Sequence, residues 1–322
     1  MYQKFYSLKE EPFNTTPDPR FLYLSEMHQE ALDRMIWAVQ QRRGITAILG
    51  EPGLGKSTLI RALLHGFTDR VHYAWVFNTT LTSKELVRYI CRDFGFRPKG
   101  KDMSDLLMEL YEFLIKDFEQ GKYAILIVDE AQNLQPNVLE EIRQMSNLET
   151  ASRKLLQVVL SGQPHLDHHL DDPSLHQLKQ RIALKARLTR LDSQDSRRYI
   201  LHRLQVAGAK RDDIFSPAAM EAIHEIADGV PRLINQICDS AMMTGAKRKE
   251  KQIESSLIRE LAESGSFTHA VAASDSERGK LVIEQVKKEP EPYAEEPELE
   301  AELVQEKVDG FDVLDLGQLA IN

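Results

Sequence analysis

Cysteine is almost missing from this chain: there are two in 322 residues, Cys91 and Cys238, far apart and without a second thiol or a histidine at ligand spacing. That excludes a disulfide framework and a sulfur-ligated zinc site, and it predicts two buried packing residues in a reducing compartment. Long hydrophobic runs are missing as well. No apolar stretch approaches the ~20 residues that a membrane-spanning helix requires, and Met1-Tyr2-Gln3-Lys4-Phe5 carries no signal-peptide core, so the expected location is the cytoplasm. No internal repeat is visible. Net charge is absent from most of the chain: of the formal −9, residues from Ser264 onward hold 14 Asp and Glu against 5 Lys and Arg, leaving 36 of each sign in residues 1–263. A charge-balanced body followed by an acidic, Pro- and Glu-rich, disordered tail is the expectation.

What is present is a body that is 42% hydrophobic over the whole chain, enough to bury a sizeable core. The apolar run Ile45 to Leu49 leads directly into Gly50-Glu51-Pro52-Gly53-Leu54-Gly55-Lys56-Ser57, followed by Thr58. This is a complete phosphate loop. Glycines let the backbone turn tightly around an anion, successive N–H groups point inward, and the following helix offers its positive end. Lys56 is placed to reach the β- and γ-phosphates of ATP or GTP, and Ser57 to give a hydroxyl to Mg²⁺.

Strand-like and helical stretches then alternate. Ile45 to Leu49, Tyr73 to Phe77, Tyr123 to Val128, Leu155 to Leu160 and Ile182 to Leu188 read as strands. Between them, Lys56 to Gly66, Ser83 to Phe94 (with Ser83 as N-cap), Ser104 to Gln120 and Asn137 to Leu148 read as helices. Short continuous apolar strands separated by helices imply an α/β fold with a parallel sheet covered on both faces. Before the first strand, residues 1–43 form a leading segment with turn chemistry at Glu11-Pro12-Phe13 and Thr16-Pro17-Asp18-Pro19, and a helical pattern from Ser25 to Arg43. After Asp192 the strand signals stop. Ser193 to Val206, Ser216 to Ala227, Pro231 to Ala246 and Ile253 to Glu263 read as helices, with Ser193 and Ser216 as N-caps and Pro217 and Pro231 in first turns. The expected organisation is a leading segment (1–43), a P-loop core (44–191), a helical lid (192–263) and the tail (264–322).

The strand Ala124 to Val128 ends in Asp129-Glu130, the second half of a nucleotide hydrolase. Asp129 is placed to hold Mg²⁺ and Glu130 to orient and deprotonate the attacking water. The fourth strand runs into Ser161-Gly162-Gln163-Pro164, where Ser161 or Gln163 would sense the γ-phosphate or hold the water. Two arginines complete the set, because planar, always-protonated guanidinium suits developing charge at the γ-phosphate. Arg181 ends a helical stretch and would reach a neighbouring subunit's nucleotide. Arg232, in Gly229-Val230-Pro231-Arg232, would point back at its own.

Phosphate loop, Asp-Glu, polar strand end, Arg181 and then Gly-x-Pro-Arg in a helical lid resemble the AAA+ ATPase plan. More narrowly, several segments resemble the general secretion pathway protein A (ExeA) family, which includes ATPases of MSHA-type pilus biogenesis and of exosortase loci. They are Tyr2 to Leu8, Pro12-Phe13, Thr16 to Ser25 with His28 and Glu30-Ala31-Leu32, Asp129 to Leu134, and Ser161 to Pro164. The resemblance covers about residues 1–263. It implies ATP and Mg²⁺ as ligands, an ATP-dependent homo-oligomer such as a hexameric ring, envelope secretion or pilus proteins as partners, and a location peripheral to the inner membrane through them. It also implies that the leading segment, through Phe21 to Leu24 and His28, helps enclose the adenine. Wall-binding members carry a membrane span and a peptidoglycan-binding domain after the ATPase; neither is seen here, so direct peptidoglycan binding is not expected. The alternative is a DNA-associated ATPase resembling transposition target selectors, with basic runs at Lys179 to Arg190 and Lys247-Arg248-Lys249 contacting phosphates. The neutral body and acidic tail count against it.

Overall fold

Five strands, β1 (Ile45–Leu49), β2 (Val71–Val76), β3 (Tyr123–Val128), β4 (Leu156–Gly162) and β5 (Ile182–Arg187), pair in parallel in the order β2-β3-β4-β1-β5. The computed structural model describes residues 2–14, 18–67 and 70–264. The tail expected to be disordered, and Thr16-Pro17 of the leading segment, lie outside the described residues.

Alternation along the strands explains why helices cover both faces. Ala124, Leu126 and Val128 of β3 enter one apolar cluster together with Ile45, Ala47 and Leu49 of β1. There they pack against α4 (Ser83–Asp93), α5 (Met103–Glu119), α6 (Pro136–Met145) and α8 (His176–Arg181). Ile125 and Ile127, with Ile48, face the opposite cluster formed with α2 (Glu26–Gln40) and α3 (Lys56–His65). A period of two in a strand buried on both sides therefore reads as an unbroken apolar run. At the β2 edge, the Trp75 N–H donates to Asp93 and the Trp75 carbonyl accepts from Tyr89 at 3.2 Å. Side chains of α4 thus occupy edge groups that would otherwise invite another strand.

Several boundaries differ from the sequence reading. Helix α4 is capped by Thr82 rather than Ser83: Thr82 accepts from the Glu85 N–H while Glu85 reaches back to Thr82, a closed capping box. Helix α9 (Ser193–Val206) is capped by Asp192, not Ser193. Strand β2 begins at Val71 because its pairing with β3 starts at Tyr123, and β4 continues to Gly162 because Ser161 and Gly162 pair with Ile48 and Leu49.

Beyond the sheet, α9, α10 (Pro217–Ala227) and α11 (Pro231–Arg248) pack together. Ser216 caps α10 as expected. The leading segment straps across these helices. In α1 (Tyr2–Tyr6), Tyr2 donates to Asp239 at 2.5 Å and Tyr6 to the Glu250 carbonyl at 3.1 Å. Phe13 packs edge-on to Phe215, and the buried Arg203 guanidinium binds the Pro12 and Asn14 carbonyls and the Tyr199 hydroxyl. The described residues up to Ile258 form one compact unit, and Arg259 to Ser264, which include the end of α12 (Ser255–Glu263), belong to a second. Both cysteines are free and fully buried, as expected, and burial pushes the Cys91 thiol up to about 12.

Candidate nucleotide site

The site lies where the carboxyl ends of β1, β3 and β4 meet, because parallel strands put all their loop-bearing ends on one side. After β1 the chain wraps back into α3 through Gly53 and Gly55, both at positive φ (+85° and +93°). Gly53 is constrained twice. A β carbon there would stand 2.8 Å from Arg232 Cβ and 3.1 Å from Val230 Cγ1, and its carbonyl accepts the Arg232 N–H at 3.3 Å. The start of α11 therefore presses directly on the phosphate loop, which places Arg232 beside it.

Lys56, the first residue of α3, is buried, and its ammonium donates to the Gly50 carbonyl at 2.7 Å and the Glu51 carbonyl at 3.1 Å. Burial holds its pKa below the usual lysine value, opposed by the negative charges of Glu130 and Asp129. Ser57 donates to Asp129 Oδ2 at 3.2 Å, and fully buried Ser161 donates to Asp129 Oδ1 at 2.7 Å. Asp129 is itself held by its N–H to the Val76 carbonyl at 3.0 Å. The Asp129 carboxylate thus joins the P-loop helix to the tip of β4, and its backbone N–H ties the same residue to the end of β2.

Glu130 follows in the left-handed backbone region (φ 50°, ψ 40°). Its Oε2 accepts from Gln132 at 2.6 Å and from Gln163 at 3.3 Å. Of the two candidates at the tip of β4, Ser161 points at Asp129, and Gln163, just past the strand, points at Glu130. Lys56, Ser57, Asp129, Glu130, Ser161 and Gln163 thus come together, with Arg232 at the loop. Arg181 does not join them; exposed at the end of α8, it binds Asn147.

Two positioning contacts were not foreseen in their detail. His28 takes the Ser25 hydroxyl at Nδ1 (2.7 Å) and meets the Leu54 carbonyl at Nε2 (3.2 Å), so α2 steadies the loop from behind. Arg190 pairs with Glu51 of the loop and with Asp228, next to Gly229. Phe21, named for a role beyond packing, is buried under the Arg203 guanidinium at 4.9 Å, and Tyr23 donates to Asp195 at 2.7 Å. A cavity of about 480 Å³ adjoins the loop, lined by Gly50, Glu51, Leu54, Asp167, Leu188 and Arg190 among others. The basic run Lys179 to Arg190 is largely answered by its own acids: Lys179 by Asp171, Lys185 and Arg187 by Asp167, and Arg190 as above.

Sheet order, phosphate loop and acidic strand end together define an AAA-type P-loop NTPase, and residues 39–170 match the AAA domain family. Among proteins of known identity, general secretion pathway protein A of Aeromonas hydrophila is 42% identical over 255 residues, 79% of this chain and 46% of the relative. The resemblance read from the sequence therefore holds, and the chain spans less than half the length of the relative it matches. The fold is similar to that of ORC2 from Aeropyrum pernix (TM-score 0.63, 18% identity, 82% of this chain and 74% of that one). It is also similar to Cdc6p from Pyrobaculum aerophilum (TM-score 0.59, 20% identity, 75% and 67%). No helix among the described residues is long and apolar enough to cross a membrane.

Proposed function

We propose that this chain binds Mg²⁺·ATP and hydrolyses it to drive or regulate a cell-envelope assembly of the secretion, type IV-like pilus or polysaccharide-export kind, as an ATP-dependent ring of like subunits. The observation that carries the hydrolytic part is the shared carboxylate of Asp129, bonded to Ser57 of the P-loop helix with Glu130 next in the chain. Two hard oxygen donors 3.2 Å apart, beside a buried lysine, fit Mg²⁺, which takes few protein ligands and keeps phosphate oxygens and waters for the rest. When bound, the ion would neutralise charge on the phosphates.

The chain's own residues do the remainder. Lys56 exchanges the Gly50 and Glu51 carbonyls for phosphate oxygens, and the loop from Gly50 through Thr58 forms the cradle with its backbone N–H groups, except those of Pro52, which has none, and Gly50, which donates to the Gly162 carbonyl. Glu130 accepts the proton of the attacking water, and Gln163 and Ser161 register the γ-phosphate. Arg232 adds positive charge in the same subunit, supported by its place against Gly53. Exposed Arg181 is free of the P-loop group in its own chain and is assigned to the next subunit's nucleotide. The helices after Asp192 act as the lid, and the leading segment that straps them contributes to the base-binding side.

The envelope role is supported by the 42% identity to a protein named for general secretion. Glu130→Gln should keep ATP affinity and lower turnover by about 10²–10⁴-fold; turnover at the parent rate would remove the hydrolytic reading. Co-purification of the ATP-loaded Glu130→Gln variant with inner-membrane assembly proteins supports the envelope reading, whereas steeply salt-dependent DNA affinity would replace it with the DNA-associated one.

A further inference from the structure

We propose that Gln132 is a positioning residue that aims the Glu130 carboxylate by tying it to the tip of β4; this rests on the hydrolytic reading above. Glu130 leaves β3 in the left-handed region, so the ladder of the sheet does not fix its direction. The amide groups do. Gln132 Nε2 donates to Glu130 Oε2 at 2.6 Å, while Gln132 Oε1 accepts the Gln163 backbone N–H at 3.1 Å. A backbone N–H can only donate, so the amide oxygen of Gln132 must face it and the NH₂ must face the carboxylate. Flipping the amide would lose both bonds.

The space for this bridge exists because residue 162 is glycine. A β carbon there would lie 2.8 Å from Gln132 Oε1 and 2.8 Å from Leu166 Cδ2. Both side-chain donors, Gln132 and Gln163, fall on Oε2, so among the described residues Oε1 is left to accept from water. One residue earlier, Ser161 holds Asp129. The tip of β4 therefore fixes both acids, through Ser161 for one and the Gln132–Gln163 pair for the other, and a shift of that tip moves both together.

The test uses the full chain with Gln132→Glu, Gln132→Met and Gly162→Ala. Gln132→Glu keeps the shape and the acceptor for the Gln163 N–H but removes the donor to Glu130; Gln132→Met removes both. The expected result is a fall in kcat of about 100-fold in both, with affinity for a fluorescent ATP analogue in Mg²⁺ kept within about twofold. Gly162→Ala should fall in the same direction. In a Glu130→Gln background, adding Gln132→Met should lower residual turnover no further, because the two act as one unit. Parent kcat in Gln132→Glu and Gln132→Met overturns the proposal, as does an equal loss of kcat and nucleotide affinity, which would mark general damage to the site. A Glu130→Gln variant that turns over like the parent removes the hydrolytic reading and this one with it; an inactive Glu130→Gln beside a fully active Gln132→Glu removes this one alone.

Discussion

The sheet and the helices after Asp192 are held together by different forces. Around β1, β3 and β4 the contacts are almost wholly apolar: Ile45, Ile48, Leu126, Ile127, Val158 and Leu160 are each at most 1% exposed, so stability there is area removed from water and close packing. The helical part has an apolar interior of its own, but the strap that fastens it is polar and aromatic. Tyr2 meets Asp239, Tyr6 the Glu250 carbonyl, Tyr23 Asp195, and Arg203 two carbonyls of the leading segment. Apolar packing fixes a half that must hold its acids within hydrogen-bond reach. Directional bonds fasten the other half to the leading segment.

Substitutions at the two kinds of joint should separate them. The largest effect belongs to the sheet: Leu126→Ala, fully buried in β3, should cost about 2–5 kcal/mol in urea unfolding and lower the expressed folded fraction. Arg203→Ala should cost less, about 1.5–3 kcal/mol. Its effect should concentrate in faster hydrogen exchange of residues 2–14 and of α9, with β1 and β3 protected as before. Equal loss of protection in both halves would show that the two are one cooperative unit.

A smaller effect sits at the seam. Burial lowers the pKa of His28, which faces the Ser25 hydroxyl and the Leu54 carbonyl with Asp195 near enough to oppose the shift. The unfolded chain, with an ordinary value of about 6.5, binds the proton first. Stability is therefore complete above that pH and is lost as pH falls toward the lower folded value. His28→Asn should flatten this part of the stability curve measured between neutral and mildly acid buffer. Smallest is the reactivity of the thiols: Cys91 and Cys238, fully buried with raised pKa values, should resist iodoacetamide in the native protein and react on unfolding.

Those parts of the molecule governed by local rules were legible in the residues. The phosphate loop is a backbone requirement written as glycines, and the alternation of buried strands with helices fixed the layer order; Asp129-Glu130 is adjacent in the chain as well as in space. Two caps were missed by one position because Thr82 and Ser83, and Asp192 and Ser193, are equally competent by type, and only the direction of the first turn chooses. Ser161 and Gln163 could not be separated until the strand's course showed that each addresses a different acid. Gln132 entered only as one member of Asp129 to Leu134, with no role of its own, since its place depends on how close the tips of β3 and β4 come and on the room at Gly162. The strap was equally hidden: its partners stand up to 244 residues apart, as with Tyr6 and Glu250.

That last separation bears on how the protein is made. As the ribosome delivers the chain, α1 emerges long before the groups it binds on α11 and at Glu250. The nucleotide-binding sheet can collapse meanwhile, since its strands are complete by Arg187. Residues 2–14 should then stay loose and protease-sensitive until α11 and Glu250 have emerged, so that their docking follows the collapse of the sheet.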